Sequence, residues 1–122
     1  MARVLIVDDE PDLLEFLREE LTSIGHQADL ASRAREAIAK AQATPPDMVL
    51  LDLHMPEMDG IDALKRLRAN NPGLPVFLMT AVRDPEVLAQ AASLGARGVL
   101  SKPVEIKALL ALLPKVLDNP PT

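Results

Sequence analysis

VLIVDD, residues 4–9, is a continuous apolar run that ends in two aspartates. Continuous rather than alternating apolar runs are typical of parallel strands that are buried on both faces. Two further segments have this form, because MVLL at residues 48–51 is followed by Asp52 and VFLM at residues 76–79 is followed by Thr80. These segments predict three inner strands of a parallel sheet, each with a polar residue at its carboxyl end.

Two weaker strands and five helices complete the pattern. Residues 27–31 alternate as an edge strand does, and residues 97–101 are the second edge candidate. Apolar residues at helical spacing mark the helices. The predicted inward positions are Leu14, Leu17, Leu21 and Ile24; Ala34, Ala37, Ile38 and Ala41; Ile61, Leu64 and Leu67; Leu88, Ala91, Ala92 and Leu94; and Ile106, Leu109, Leu110 and Leu113.

Particular residues predict where the helices begin and end. Ser32 and Asp84 are candidate N-caps. Gly25 is expected to end the first helix, and Pro114 to kink or end the last one. Gly60 is expected to adopt a positive φ before the third helix.

The alternation of strands and helices predicts a doubly wound α/β fold. The crossovers between parallel strands are right-handed. Two weak edge strands around three apolar ones favour a flavodoxin-like five-stranded parallel sheet with strand order 2-1-3-4-5 and five helices. We expect one domain over residues 1–118 and a disordered tail over residues 119–122.

Composition argues against several classes of function. The formal net charge of −5 disfavours direct binding of nucleic acid by this domain. No apolar run approaches the roughly 20 residues of a membrane span, and the first residues do not resemble a signal peptide, so we expect no membrane partner. The chain has no cysteine, which removes disulfides and thiolate metal sites and is compatible with the cytoplasmic location that we expect.

The polar residues at the strand ends predict a shared site. The carboxyl ends of parallel strands lie at one edge of the sheet, which brings Asp8, Asp9, Asp52, Thr80 and Lys102 together. Crowded carboxylates repel one another unless a cation joins them, and hard oxygen ligands favour Mg²⁺. A lysine and a hydroxyl beside a metal-bound carboxylate suit a phosphoryl group. The arrangement therefore predicts a site at which an aspartate is phosphorylated.

Five phrases occur in order along the chain: VLIVDDE at 4–10, LLDLHMPEMDG at 50–60, MTA at 79–81, LGA at 94–96 and KP at 102–103. With this set the chain resembles, over nearly its whole length, the receiver domain of two-component response regulators. An Asp-Asp pair alone is a weak signal, whereas the ordered set is specific. The resemblance implies a switch that takes a phosphoryl group from a sensor histidine kinase or a phosphotransfer protein. The switch then changes its affinity for an output protein or domain.

The resemblance also implies how the metal and the phosphoryl group are held. Asp52 is the implied phospho-acceptor. Asp9, Asp52 and the backbone carbonyl of His54 are the implied Mg²⁺ ligands, while Asp8 holds a metal-bound water or ligates in part. Lys102 is expected to pair with a phosphoryl oxygen, and a cis bond to Pro103 turns it into the site.

The remaining implied roles concern phosphoryl contacts and switching. Thr80 and the Ala81 amide are expected to contact the phosphoryl group, and the His54 side chain to lie beside it. Val99 stands where many receivers have Tyr or Phe, so the usual coupling between Thr80 and an aromatic ring is in question.

Each assignment has an ordinary alternative. Asp8 and Asp9 could simply cap the first helix, and Glu10 is expected to be a solvated or capping neighbour. Asp52 could cap a loop, Thr80 could satisfy the backbone and Lys102 could be a solvated charge.

Three other functions fit parts of the pattern. A phosphatase of the haloacid-dehalogenase type also phosphorylates a strand-end aspartate, but His54 occupies the place of its usual second aspartate. A pseudo-receiver would ignore phosphate, against which the intact acidic set and Lys102 argue. A flavin-binding module would need a phosphate loop rich in Ser, Thr and Gly after the first strand, which this chain lacks.

Overall fold

The computed structural model describes residues 2–54, 60–81 and 84–118, with side chains described as far as Pro114. Within these residues the chain alternates five strands with five helices. The strands are β1 (Arg3–Val7), β2 (Gln27–Ala31), β3 (Met48–Asp52), β4 (Val76–Thr80) and β5 (Gly98–Ser101). The helices are α1 (Pro11–Ser23), α2 (Ala34–Ala43), α3 (Gly60–Asn70), α4 (Pro85–Ser93) and α5 (Ile106–Asp118). The expected tail, residues 119–122, lies outside the described residues.

The strands form one parallel sheet in the order β2-β1-β3-β4-β5, which confirms the predicted flavodoxin-like fold. β3 and β4 are buried at every position, whereas the edge strands β2 and β5 are partly exposed. Among the helices that the structure describes, none is long and apolar enough to cross a membrane.

Helices cover both faces of the sheet and divide the core in two. The first cluster packs α2, α3 and α4 against side chains such as Leu5, Leu51 and Leu78. The second cluster packs α1 and α5 against the opposite face, on Ile6 and Leu50. Alternate residues of each inner strand point to alternate faces, so both faces of these strands must be apolar. This is why the inner strands have continuous rather than alternating apolar sequences.

The helix ends predicted at Gly25 and Asp84 are confirmed, but the cap predicted at Ser32 is wrong. Asp84 caps α4, where its Oδ1 accepts a hydrogen bond from the Glu86 amide at 3.0 Å. Ser32 does not cap α2, which begins one residue later than expected with Arg33 at the N-cap. Instead the Ser32 amide donates to Glu36 Oε1 at 2.8 Å, because a carboxylate in the first turn reaches back to an amide before the helix.

Two predicted inward positions are exposed. Ile24 is 50% exposed because α1 ends at Ser23, where Gly25 follows with a φ of +93°. Ala92 is exposed next to the buried Ala91, since successive residues of a helix are turned by about 100° from one another.

α5 does not end at Pro114, which lies inside the helix. A proline removes one backbone hydrogen bond and crowds the preceding turn. Leu109 and Leu113 are both buried in the second cluster, so the part of α5 before the proline is packed against the sheet.

Gly60 does not have a positive φ, so the reason expected for glycine at this position is wrong. The requirement is close approach, because a Cβ atom built on Gly60 would lie 2.5 Å from Leu53 Cα and 2.7 Å from the Leu53 carbonyl oxygen. The Gly60 amide also donates to that oxygen at 3.3 Å. The start of α3 therefore packs directly on the chain that leaves β3.

Gly60→Ala is expected to destabilise the protein by about 2 kcal/mol, because the methyl group would collide with backbone that cannot move aside cheaply. Urea unfolding measures the loss. Gly98→Ala is the matched control, since its methyl group would meet only the Phe77 ring, at 3.3 Å. Equal losses in the two variants would contradict the packing argument.

Candidate functional site

Four separate segments bring the predicted site residues to one edge of the sheet. Asp8 follows β1, Asp52 ends β3, Thr80 ends β4 and Lys102 follows β5. The Lys102 backbone amide donates to the Thr80 carbonyl at 3.0 Å, which extends the parallel pairing of β4 and β5 by one residue. The topology thus assembles residues that are up to 94 positions apart in sequence, from Asp8 to Lys102.

The Lys102 ammonium lies among three carboxylates. Its Nζ atom is 2.6 Å from Asp8 Oδ2, 3.1 Å from Glu10 Oε1 and 3.4 Å from Asp52 Oδ2. The Lys102–Pro103 peptide bond is cis, as the resemblance implies. Lys102 is therefore not the solvated charge that the sequence left as an alternative, but a cation in contact with three carboxylates.

Burial and charge shift the pKa values of this group. Burial raises the pKa of the Asp52 carboxyl above its ordinary value and the Asp8 charge adds to the rise, while the His54 amide and Lys102 partly offset it. Burial lowers the pKa of Lys102, but the carboxylates of Asp8, Glu10 and Asp52 outweigh this effect and the net pKa is raised. The lysine thus stays charged at neutral pH.

Asp8, Asp9 and Asp52 form an acidic cluster whose oxygens lie within 4.8 Å of one another. Asp8 and Asp52 are buried and Asp9 is exposed. Among the described residues, Asp8 Oδ2 has no hydrogen-bond partner and lies 2.6 Å from the Lys102 ammonium as an ion pair. A buried oxygen with spare acceptor capacity in a set of hard ligands fits a divalent cation such as Mg²⁺.

Backbone amides orient the two buried carboxylates. The Glu10 amide donates to Asp8 Oδ1 at 2.9 Å, and the His54 amide donates to Asp52 Oδ1 at 3.0 Å. In both cases the amide lies two residues beyond the aspartate, which is the geometry of an Asx turn. Asp8 therefore both shapes the entry to α1 and belongs to the acidic cluster, so the capping alternative and the metal-site prediction are compatible.

Thr80 and Val99 occupy one face of the sheet. Thr80 pairs with Ser101, and Leu78 pairs with Val99. Side chains alternate along a strand, so Thr80 and Val99 are diagonal neighbours on the face that packs against α4. Thr80 is 1% exposed, while Val99 is only half-buried. Ala81 and the His54 side chain are exposed at the ends of their segments.

Glu10 is the site residue that sequence reasoning missed. It stands at the N-cap of α1, but its side chain makes no capping hydrogen bond and instead accepts from Lys102 Nζ at 3.1 Å. No local pattern indicates a contact between residues 92 positions apart. Its position next to Asp8 and Asp9 is the only signal that could have suggested it.

The family model for the response regulator receiver domain matches residues 4–114. The chain belongs to this family. Receiver domains are signalling domains rather than conventional enzymes, so the family match does not favour the phosphatase alternative.

Two transcriptional regulators that are similar in sequence agree with this assignment. The receiver is 39% identical over 114 residues to the probable transcriptional regulatory protein TcrX of Mycobacterium tuberculosis, covering 93% of this chain and 49% of that protein. It is 38% identical over 116 residues to the transcriptional regulatory protein ZraR of Escherichia coli, covering 95% of this chain and 26% of that protein. The chain thus spans between a quarter and a half of these relatives.

The structure of the chemotaxis protein CheY4 of Vibrio cholerae is similar across its whole length. It superposes with a TM-score of 0.88 at 33% identity, covering 95% of this chain and 98% of that one. The likeness extends to sequence as well as fold.

Proposed function

We propose that this receiver domain is a phosphorylation-operated switch in which Asp52 accepts a phosphoryl group in the presence of Mg²⁺. The observation that carries the proposal is the placement of the Lys102 ammonium 3.4 Å from a buried Asp52 carboxylate, beside Asp8 and Asp9. A carboxylate nucleophile needs a nearby cation that can neutralise a transferring phosphoryl group. This site combines the two in a buried setting, where charges interact strongly.

Asp8, Asp9, Asp52 and the backbone carbonyl of His54 are the groups that would hold Mg²⁺. The bound ion would supply positive charge to the phosphoryl oxygens and would allow several carboxylates to stay ionised together. Asp9 is the exposed member of the cluster and is therefore the ligand that a hydrated ion would meet first.

In the proposed transfer, an Asp52 carboxylate oxygen attacks the phosphorus atom of a phosphohistidine or an acyl phosphate. The new bond joins Asp52 to phosphorus, while the bond from phosphorus to the donor nitrogen or oxygen breaks and its electron pair leaves with the donor. Lys102 would donate to a phosphoryl oxygen, and Thr80 with the Ala81 amide would contact the others. Water later attacks the phosphorus, which returns the Asp52 carboxylate and releases inorganic phosphate.

Intact-mass measurement with acetyl phosphate and Mg²⁺ tests the proposal. We expect the protein to gain one phosphoryl group that hydroxylamine removes, since an acyl phosphate is labile to this nucleophile. A mass that stays unchanged with several small phosphodonors and Mg²⁺ would contradict the proposed function.

Asp9→Ala is expected to lower the affinity for Mg²⁺ by at least tenfold and to suppress phosphorylation, because it removes one ligand of a hard cation. The variant should remain folded, since Asp9 is exposed. Calorimetric Mg²⁺ titration measures the change. Asp12→Asn removes an exposed carboxylate in the first turn of α1 and serves as the control for net charge. Unchanged binding in Asp9→Ala would reject direct ligation.

The switch is proposed to run from Thr80 to the face formed by α4, β5 and α5. Thr80 would move towards the phosphoryl group and disturb its diagonal neighbour Val99 and the packing of α4. Val99 has no ring to move inward, so we expect a limited rearrangement of this face.

Beryllofluoride with Mg²⁺, a stable mimic of the phosphoryl group, should shift amide resonances of α4 more than those of α2. Val99→Tyr should enlarge the shifts on the α4 face, because it restores a ring beside Thr80. Shifts confined to Asp8, Asp9, Asp52 and their neighbours would show that the signal does not reach α4. Unchanged shifts in Val99→Tyr would show a route independent of position 99.

The partners in this proposal are a sensor histidine kinase or phosphotransfer protein and an output protein or domain. The proposal includes a cytoplasmic location, which the resemblance to receiver domains implies. It includes no direct contact of this domain with nucleic acid or membrane.

A further inference from the structure

Glu10 is the N-cap residue of α1, a position at which a side chain commonly accepts a hydrogen bond from a backbone amide of the helix. Its backbone has the extended conformation of an N-cap, with φ −92° and ψ 107°. Its carboxylate nevertheless makes no hydrogen bond to the amides of α1, and it accepts one from Lys102 Nζ at 3.1 Å. The side chain therefore serves the site at the sheet edge rather than the helix to which it belongs.

Lys102 has a limited number of N–H donors, so its contact with Glu10 affects which other groups it can bind. An ammonium group has three N–H donors, and here three carboxylates surround it. A phosphoryl group on Asp52 would add oxygens to the site, and these oxygens would compete with the present carboxylates for the Lys102 ammonium.

Glu10 is the partner that can be given up most easily. The side chains of Asp8 and Asp52 are 0% and 5% exposed, whereas that of Glu10 is 62% exposed. A released Glu10 carboxylate can be solvated at once, while a buried Asp8 that lost Lys102 would depend on Mg²⁺ alone for its counter-charge.

We propose that Glu10 is a positioning residue that holds the Lys102 ammonium in the unphosphorylated receiver and competes for it with the phosphoryl group. This inference rests on the proposed function of Asp52. Glu10 thereby stabilises the unphosphorylated state relative to the phosphorylated one and sets how readily the switch turns on.

Affinity for beryllofluoride with Mg²⁺ measures this competition at equilibrium. Glu10→Gln should bind the mimic roughly two- to fivefold more tightly than the wild-type protein, which is the size expected of a partly exposed ion pair. Asp12→Asn removes a nearby exposed charge on the same helix and should change the affinity less than twofold.

Glu10→Asp separates contact from charge. It keeps the negative charge at the mouth of the site but shortens the side chain by one methylene, so a contact that is already 3.1 Å long would be lost. We expect Glu10→Asp to resemble Glu10→Gln. Wild-type affinity in Glu10→Asp together with tighter binding in Glu10→Gln would show a pure charge effect and would overturn the positioning role.

A second readout needs neither metal nor mimic. In the metal-free protein, Glu10→Gln and Glu10→Asp should both shift the resonances of the Lys102 ε-methylene group, and Asp12→Asn should not. Unchanged Lys102 resonances in both Glu10 variants would overturn the inference. Thermal unfolding should be nearly the same for all variants, because Glu10 makes no capping bond.

The two proposals fail in different ways. If the wild-type protein does not bind beryllofluoride with Mg²⁺, the proposed function is wrong and so is the proposed role of Glu10. If the wild-type protein binds the mimic and the Glu10 variants bind it with equal affinity, only the inference about Glu10 is wrong.

Discussion

Asp52→Ala and Asp52→Asn are both expected to abolish phosphorylation by acetyl phosphate, because each removes the carboxylate oxygen that would form the bond to phosphorus. Asp52→Asn should at the same time stabilise the metal-free protein. Asp52 is buried and its carboxyl has a raised pKa, owing to burial and to the neighbouring Asp8 charge. An amide of nearly the same shape removes these costs, and we expect a gain of about 1 kcal/mol, or roughly 4 °C in Tm.

The gain should depend on pH in a defined direction. A carboxyl whose pKa is higher in the folded than in the unfolded state binds its proton more tightly when folded. Its contribution to stability is therefore lost as the pH rises from below the unfolded value, 3.8, through the higher folded value. The side-chain amide of the Asp52→Asn variant does not titrate in this range, so the stability difference between this variant and wild type should grow from pH 3 towards neutral pH.

Intact mass with and without hydroxylamine, together with thermal unfolding at several pH values, measures both effects. Asp62→Asn, which changes an acidic residue in the first turn of α3, is the control for loss of one charge. Labelling of Asp52→Ala at the wild-type level would reject Asp52 as the acceptor. A stability difference that shrinks as the pH rises would reject the account of its burial.

Lys102→Met is expected to destabilise the metal-free protein by about 3 kcal/mol, because it removes the cation from two buried carboxylates. Asp8 Oδ2 would lose its 2.6 Å ion pair, and Asp52 Oδ2 its contact at 3.4 Å. The methionine fills a similar volume, so most of the loss should come from charge. Phosphorylation should also fall steeply, since the proposed partner of the phosphoryl oxygens is gone.

Urea unfolding of Lys102→Met without Mg²⁺ measures the loss of stability, and the same measurement with Mg²⁺ shows how much of it the ion restores. Mg²⁺ should stabilise this variant more than it stabilises the wild-type protein, because the ion would replace the missing positive charge between the carboxylates. Lys107→Met removes an exposed lysine from the first turn of α5 and is the matched control. A loss no larger than that of Lys107→Met would contradict the central role of Lys102.

Much of the site followed from pattern alone. A continuous apolar run such as residues 48–51 is typical of a strand buried on both faces, and parallel strands share one carboxyl edge. Asp8, Asp52, Thr80 and Lys102 were therefore predictable as neighbours before any distance was known. The edge or inner position of each strand followed from its apolar pattern and length, and the order 2-1-3-4-5 is the flavodoxin-like arrangement that suits these positions.

The sequence by itself determined the elements, their order and the edge at which the polar residues meet, because these depend on local periodicity and on the geometry of parallel sheets. Tertiary structure alone decided the contacts that depend on distances across the fold. The Glu10 carboxylate turns from its own helix to Lys102, Gly60 presses against the Leu53 backbone, and α5 continues through Pro114. The contact of Glu10 comes from a segment 92 positions away, and the approach of Gly60 to Leu53 depends on how α3 packs, and neither can be read from local periodicity.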